Sequence, residues 1–300
     1  MINTLNFQDW HKNPAFFVDS LKQSFTETGF FLLKNHDIPE GLLRYNKELF
    51  SIFFKHLTVE QRMQYSFPDI YYQKGYTPMS IETGEFANIP DNKHFYQLGD
   101  MHENPQVEEI NDLKSTSEKL FHRFYEVYKE LMQATALSLD LPKNYFDNEL
   151  GNSIMRIIHY PSNSIIVSED EEVTQGGNLL GMCASKHTDI NDLTLLHATD
   201  PGLQLWHQGK WVPILCNSDT IIVNVGDMLW HLTAGLYKSG VHRVVCEPGV
   251  ERISCPFFGH RIDDASIEPL FDLRGEEKLK FPFRKEGAFL KHRLDQIIKK

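Results

Sequence analysis

The chain reads as an α+β protein in which a β-rich second half carries the chemistry and a largely helical first half packs around it. Three observations carry that expectation. Up to about residue 150 the apolar residues recur at helical spacing, whereas after Gly151 they come in short runs separated by turn residues. No Pro/Gly/Ser-rich linker divides the two regimes. Many short strands with turns between them suggest an antiparallel sandwich or barrel. The missing linker favours one compact unit over 1–300: a mainly helical region 1–150, a β core 151–262, and a C-terminal extension with a helix, 263–300.

Each element has its own signal. Pro14 to Thr28 carries Phe17, Leu21 and Phe25 four apart and stops at Gly29, which predicts a helix. Phe30 to Leu33 is a short buried strand closed by Asn35-His36-Asp37. A second helix starts near Pro39 with Leu42, Leu49 and Phe53, and Thr58 with Gln61 has the form of a capping box. From Tyr71 to Asp100 the chain reads as loop-rich and aromatic. The strongest helix runs from about Asp112 to Leu139 on a stripe of Leu120, Phe124, Val127, Leu131 and Thr135. Strands are then expected at 155–160, 193–197, 203–206, 211–215, 220–225, 241–246 and 252–258, with a polar loop at 162–178.

Composition removes several function classes. A formal charge of −11 disfavours nucleic acid or an anionic membrane as partner. No apolar run approaches a membrane span and the first residues lack a signal-peptide pattern, so the expected compartment is cytoplasmic. Cys183, Cys216, Cys246 and Cys255 lack close pair spacing, and three lie in apolar strand-like surroundings; they read as reduced structural thiols. Nothing suggests an obligate assembly, so a monomer or weak oligomer acting on a small molecule is expected.

The chemistry concentrates between Ser185 and Ser254. His187-Thr188-Asp189 alone is weak, since a chain with 14 histidines contains about one His-x-Asp triplet by chance. Context strengthens it. The triplet precedes an apolar strand, and residues two apart on extended backbone project to one side. Two imidazoles and one carboxylate bind Fe(II) on one face and leave positions open. The second imidazole must come from His197, His207, His231, His242 or His260; His242 is distinguished by Arg252 ten residues later. That interval spans a strand, a turn and part of a neighbouring strand, which would set Arg252 beside the metal. A guanidinium fork suits a carboxylate, and Ser254 points the same way two residues on.

These residues, in this order, resemble the Fe(II)/2-oxoglutarate-dependent dioxygenases, in particular the isopenicillin N synthase-like group. His187-Thr188-Asp189, Asn224-Val225-Gly226-Asp227-Met228, His242-Arg243-Val244 and Arg252-Ile253-Ser254 carry the likeness in the core. Thr28-Gly29-Phe30-Phe31 through Asn35-His36, and Gly75-Tyr76 through Lys93-His94-Phe95, carry it in the first half. The resemblance implies a double-stranded β-helix, or jelly-roll, core flanked by helices. It implies His187, Asp189 and His242 as iron ligands, with Arg252, Ser254 and Tyr160 holding the distal carboxylate of 2-oxoglutarate. It also implies O₂ as co-substrate, succinate and CO₂ as products, and hydroxylation of a C–H as the default outcome. Three positions depart from the pattern: Ile158 where an asparagine is frequent, Gly240 where proline is frequent, and Asp37 where glycine is usual. Phe258 and Arg156 are candidate substrate contacts, Arg156 as the partner of an anionic substrate, and Trp230 and His231 lie near enough in sequence to touch it. An iron oxidase that turns Arg252 on its substrate instead of 2-oxoglutarate, and a catalytically silent jelly-roll binder, are the rival readings.

Overall fold

The computed structural model describes residues 2–82, 91–162, 174–175, 178–179, 181–215, 217–247, 249–271 and 280–297. In chain order the elements are β1 (Asn3–Asn6), α1 (Phe7–Lys12), α2 (Pro14–Glu27), β2 (Phe30–Lys34), α3 (Glu40–His56), α4 (Val59–Met63), β3 (Gly75–Thr77), β4 (His94–Gly99) and α5 (Leu113–Ser138). The second half adds β5 (Ile154–Tyr160), β6 (Thr174–Gln175), β7 (Asn178–Leu179), β8 (Gly181–His187), β9 (Leu193–Ala198), β10 (Leu203–His207), β11 (Lys210–Pro213) and β12 (Thr220–Val225). They are followed by α6 (Asp227–Leu232), β13 (His242–Cys246), β14 (Arg252–Gly259) and α7 (Glu286–Ile297).

Two sheets make the core. The larger runs β1-β2-β12-β9-β14-β5-β4-β3 and the smaller β11-β10-β13-β8; apart from the parallel β1–β2 pair, the paired strands are antiparallel. Residue alternation explains how the large sheet serves two layers. On β14, Ile253, Cys255 and Phe257 join the main apolar cluster with Phe121, Phe124 and Tyr128 of α5. The residues between them, Arg252, Ser254, Pro256 and Phe258, face the opposite way into a cavity. β5 does the same, with Met155 and Ile157 towards the helices and Ile154, Arg156, Ile158 and Tyr160 towards the cavity. A second apolar cluster, including Phe30, Ile158, Leu196, Leu205 and Val244, fills the space between the sheets.

The expected helices and the seven expected strands are present, with ends shifted by one or two residues. Thr58 and Gln61 form the capping box: the Thr58 hydroxyl accepts from the Gln61 backbone N–H, and the Gln61 side chain accepts from the Thr58 N–H. Three expectations need correcting. The stretch 71–100 is not simply loop: β3 and β4 extend the large sheet beyond β5, so the mainly helical half lends strands to both edges. Cys183 and Cys246 are not free thiols but a disulfide, because β8 and β13 are paired and a bulge between Val244 and Val245 brings the two Cα atoms to 6.0 Å. Cys255 is free and buried, its thiol pushed up to about 12 by burial; Cys216 and most of the polar loop 162–178 lie outside the described residues. Finally, Arg252 is not on a strand beside His242: β13 and β14 belong to different sheets, so the arginine faces the histidine strands across the cavity.

Candidate active site

The two histidines meet by strand register. His187 ends β8 and lies opposite His242 at the start of β13, so both rings enter the cavity with centroids 4.3 Å apart. His187 Nδ1 donates to the Ser185 carbonyl at 2.7 Å and His242 Nδ1 donates to the Gly240 carbonyl at 3.0 Å. Each bond fixes the tautomer and leaves Nε2 with a free lone pair, as metal-ligating histidines require. The Nε2 atoms lie 4.0 Å (His187) and 3.7 Å (His242) from Asp189 Oδ1. Asp189 stands in the turn after β8 rather than on the strand itself.

The carboxylate is held by the large sheet. Its Oδ2 accepts from Thr194 Oγ1 at 2.6 Å and Asn224 Nδ2 at 2.8 Å, on adjacent strands β9 and β12 that are paired at these two residues. Oδ1 is thereby left for the histidine side. Burial alone would raise the Asp189 carboxyl, but His242 and His187, with the two hydrogen bonds, outweigh it and hold it below its ordinary value. Burial, and then the neighbouring His242, push His187 down to about 4. At neutral pH Asp189 is therefore a carboxylate and His187 is uncharged, the states that ligation needs of these two groups. These three side chains offer ligand atoms all within 4.8 Å of one another.

Asp227 supports the trio from behind, a role that sequence reasoning did not assign. It accepts from Thr188 Oγ1 at 3.0 Å, Ser239 Oγ at 2.6 Å and Arg293 Nη1 at 2.7 Å, which ties the His-x-Asp turn to α6 and α7. Gly226 just before it has no room for a side chain, since a Cβ would meet the Asn191 carbonyl at 2.0 Å. The Gly240 departure has a similar cause: a Cβ there would press on Phe30 and Leu205. Asp37 holds a left-handed φ of 59°, the conformation that the more usual glycine adopts freely.

Across the cavity, Arg252 is 3% exposed, and its Nε and Nη2 have no hydrogen-bond partner among the described residues. Tyr160 is its cross-strand neighbour, with the guanidinium 5.3 Å from the ring centre. Ser254, two residues along, faces Ile158, the position of the missing asparagine. A buried guanidinium with idle donors is costly unless an anion completes it, so these residues suit a carboxylate ligand. The donor set of two imidazole nitrogens and one carboxylate oxygen likewise suits Fe(II) with open positions.

Arg156 and Phe258 line the same cavity but four or more residues further along their strands. Arg156 does not await an anion: Nη1 is 3.0 Å from Glu82 Oε1, and Nε donates to Gln97. Trp230 and His231 are not in the cavity wall. His231 Nδ1 donates to the Ile267 carbonyl while Nε2 accepts from the Phe283 N–H, and Trp230 packs on Phe281. Both residues anchor the C-terminal segment, an ordinary fate for aromatic groups close to a site.

Comparison with known proteins decides the family. Residues 151–261 match the 2OG-Fe(II) oxygenase superfamily and residues 2–119 match the non-haem dioxygenase in morphine synthesis N-terminal family. Protein DMR6-LIKE OXYGENASE 2 of Arabidopsis thaliana is 30% identical over 92% of this chain and 78% of its own length. The chain belongs to the Fe(II)/2-oxoglutarate-dependent dioxygenases. A 2OG-Fe(II) oxygenase family protein of Caulobacter crescentus superposes with a TM-score of 0.82 at 29% identity, covering 98% of both chains. A full-length Neurospora crassa protein, crystallised in complex with alpha-KG and thymine, gives 0.80 at 26% identity over 98% of this chain and 96% of that one. This dioxygenase is thus an oxidoreductase with a jelly-roll core that uses Fe(II), 2-oxoglutarate and O₂. Among its described residues no helix is long and apolar enough to cross a membrane.

Proposed function

We propose that this dioxygenase hydroxylates a C–H of a small molecule. His187, Asp189 and His242 hold the iron; Arg252 and Ser254, with Tyr160, hold the distal carboxylate of 2-oxoglutarate; Arg156 and Phe258 face the substrate. The observation that carries the reading is the convergence, across one cavity, of a His-Asp-His trio and a buried guanidinium whose Nε and Nη2 have no partner among the described residues. The crystal complex of the Neurospora crassa relative with thymine supports a small-molecule substrate.

When bound by His187, Asp189 and His242, iron would supply, with 2-oxoglutarate and O₂, the oxidant for the C–H, with succinate and CO₂ as co-products. The chain's own work is positional. The Ser185 and Gly240 carbonyls fix the imidazole tautomers, while Thr194 and Asn224 aim Oδ1 of Asp189 at the metal position. Arg252 sets the direction of the co-substrate, and burial raises the Tyr160 hydroxyl above its ordinary value, so that it stays a neutral donor beside the arginine. Ile158, Leu196, Leu203 and Val244 line the same cavity as apolar wall. They exclude water and limit side reactions of the oxidant.

A screen of small molecules against the Fe(II)-loaded enzyme, following succinate and a product heavier by one oxygen atom, tests the reading. Coupled formation of both with at least one substrate is expected. Absence of succinate with and without substrate, together with no 2-oxoglutarate binding under argon, would contradict it.

A further inference from the structure

Beyond the co-substrate end, the cavity wall contains four charges in one chain: Asp91 is buried, and Glu82, Lys93 and Arg156 are largely buried, their side chains 10–14% exposed. Glu82 Oε1 lies 3.0 Å from Arg156 Nη1, Glu82 Oε2 lies 3.3 Å from Lys93 Nζ, and Lys93 Nζ lies 2.9 Å from Asp91 Oδ2. Asp91 is tied to the histidine strand as well, its Oδ1 accepting from the Ser185 N–H at 3.1 Å. Burial would raise both carboxyls, but Arg156 and Lys93 outweigh it at Glu82, as Lys93 does at Asp91, and both lie below their ordinary values. Burial would lower Lys93, and the two carboxylates hold it above its ordinary value instead. Two positive and two negative charges therefore cancel within the wall. Among the described residues, the other titratable groups on this side add no net charge: burial pushes His260 down to about 4, so it is neutral, and Arg293 is paired with Asp227. Arg252, whose Nε and Nη2 have no partner among the described residues, lies at the other end; Arg156 is four residues from its neighbour Tyr160 along β5, or about 13 Å.

Resting on the oxygenase reading above, we infer that this wall is a charge filter: the part of the substrate that meets Arg156 is uncharged, and Glu82 is the specificity-determining residue that makes it so. A carboxylate entering here would have to take Arg156 or Lys93 from Glu82 and strand a buried carboxylate. An ammonium would have to take Glu82 or Asp91 and strand a cation. Breaking a buried pair in this way carries a large penalty. What the wall does offer a neutral guest is flat surface and hydrogen bonds. The Arg156 guanidinium lies 4.3 Å from the Phe95 ring centre and 5.4 Å from that of Phe258, and Gln73 adds an amide nearby. A flat ring with amide-like donors and acceptors at its edge fits that chemistry.

The test compares ring pairs that differ by one charge: uracil with orotate, and nicotinamide with nicotinate. Binding to the anaerobic Fe(II)–2-oxoglutarate enzyme is measured by calorimetry, alongside the same measurement on Glu82→Gln. The wild-type protein is expected to bind the neutral member of each pair on the order of a hundredfold more tightly. Glu82→Gln leaves one wall cation uncompensated and should reverse the preference towards the carboxylates. Equal or tighter binding of orotate or nicotinate by the wild type, an unchanged preference in Glu82→Gln, or no binding of either neutral ring would overturn the inference. Binding of 2-oxoglutarate in the same cell reports separately on the oxygenase reading. An unfolded Glu82→Gln protein would leave the wild-type pairs to decide.

Discussion

At Asp189 the two carboxylate oxygens have different duties, one held by Thr194 and Asn224 and the other turned to the histidines. Asn224→Ala should therefore leave the protein folded but lower iron affinity roughly 10–100-fold, read by metal titration. An unchanged affinity would show that the Asn224 amide is not needed to hold Oδ2. Arg252→Gln removes the idle guanidinium and should raise the dissociation constant for 2-oxoglutarate by about 10–100-fold while leaving iron binding intact. At this scale the ligand trio and Arg252 were legible, because metal and carboxylate chemistry restrict residue types severely. Thr194 was not, and Asn224 and Asp227 were visible only as members of one motif. Their roles arise from the register of β9 with β12 and from the contact of the His-x-Asp turn with α6, which no local pattern encodes.

The pairing of β8 with β13 brings His187 opposite His242 and, four residues from each, closes the disulfide between Cys183 and Cys246. Alkylation under denaturing, non-reducing conditions should label two fewer cysteines than after reduction. Cys183→Ser should lower stability by about 2–4 kcal/mol in a chemical denaturation experiment. Equal labelling in both states would show the thiols to be free. Sequence presents the two cysteines as separate thiols because 63 residues lie between them and a strand bulge decides their meeting. β3 and β4 were hidden for a related reason: a three-residue strand and a run such as His94-Phe95-Tyr96-Gln97, buried on both faces, show no polar alternation. The long helix α5 was legible almost to its ends, since 26 residues with one apolar stripe admit little else.

Across the whole molecule, buried neutral histidines couple stability to acid. Burial, reinforced by His159 beside it, pushes His94 down to about 3 from an ordinary value of 6.5. The unfolded chain therefore binds a proton that the native state refuses. The contribution is nil above pH 6.5, and stability falls as pH drops from there towards 3, by about 2 kcal/mol at pH 5 for this residue. Denaturation at pH 7 and pH 5 should show that loss, and His94→Asn should reduce it; a pH-independent midpoint would refute the coupling. The class and the general reaction were readable from the motif set, while the charge-neutral wall was not, because Glu82, Lys93 and Arg156 meet only when β4 pairs with β5. The central claim concerns the site itself, and calorimetry of 2-oxoglutarate binding under argon tests it most directly. One 2-oxoglutarate per Fe(II) is expected, lost without metal or in His187→Ala and weakened in Arg252→Gln. Binding of equal strength without iron, or undiminished in Arg252→Gln, would contradict the account.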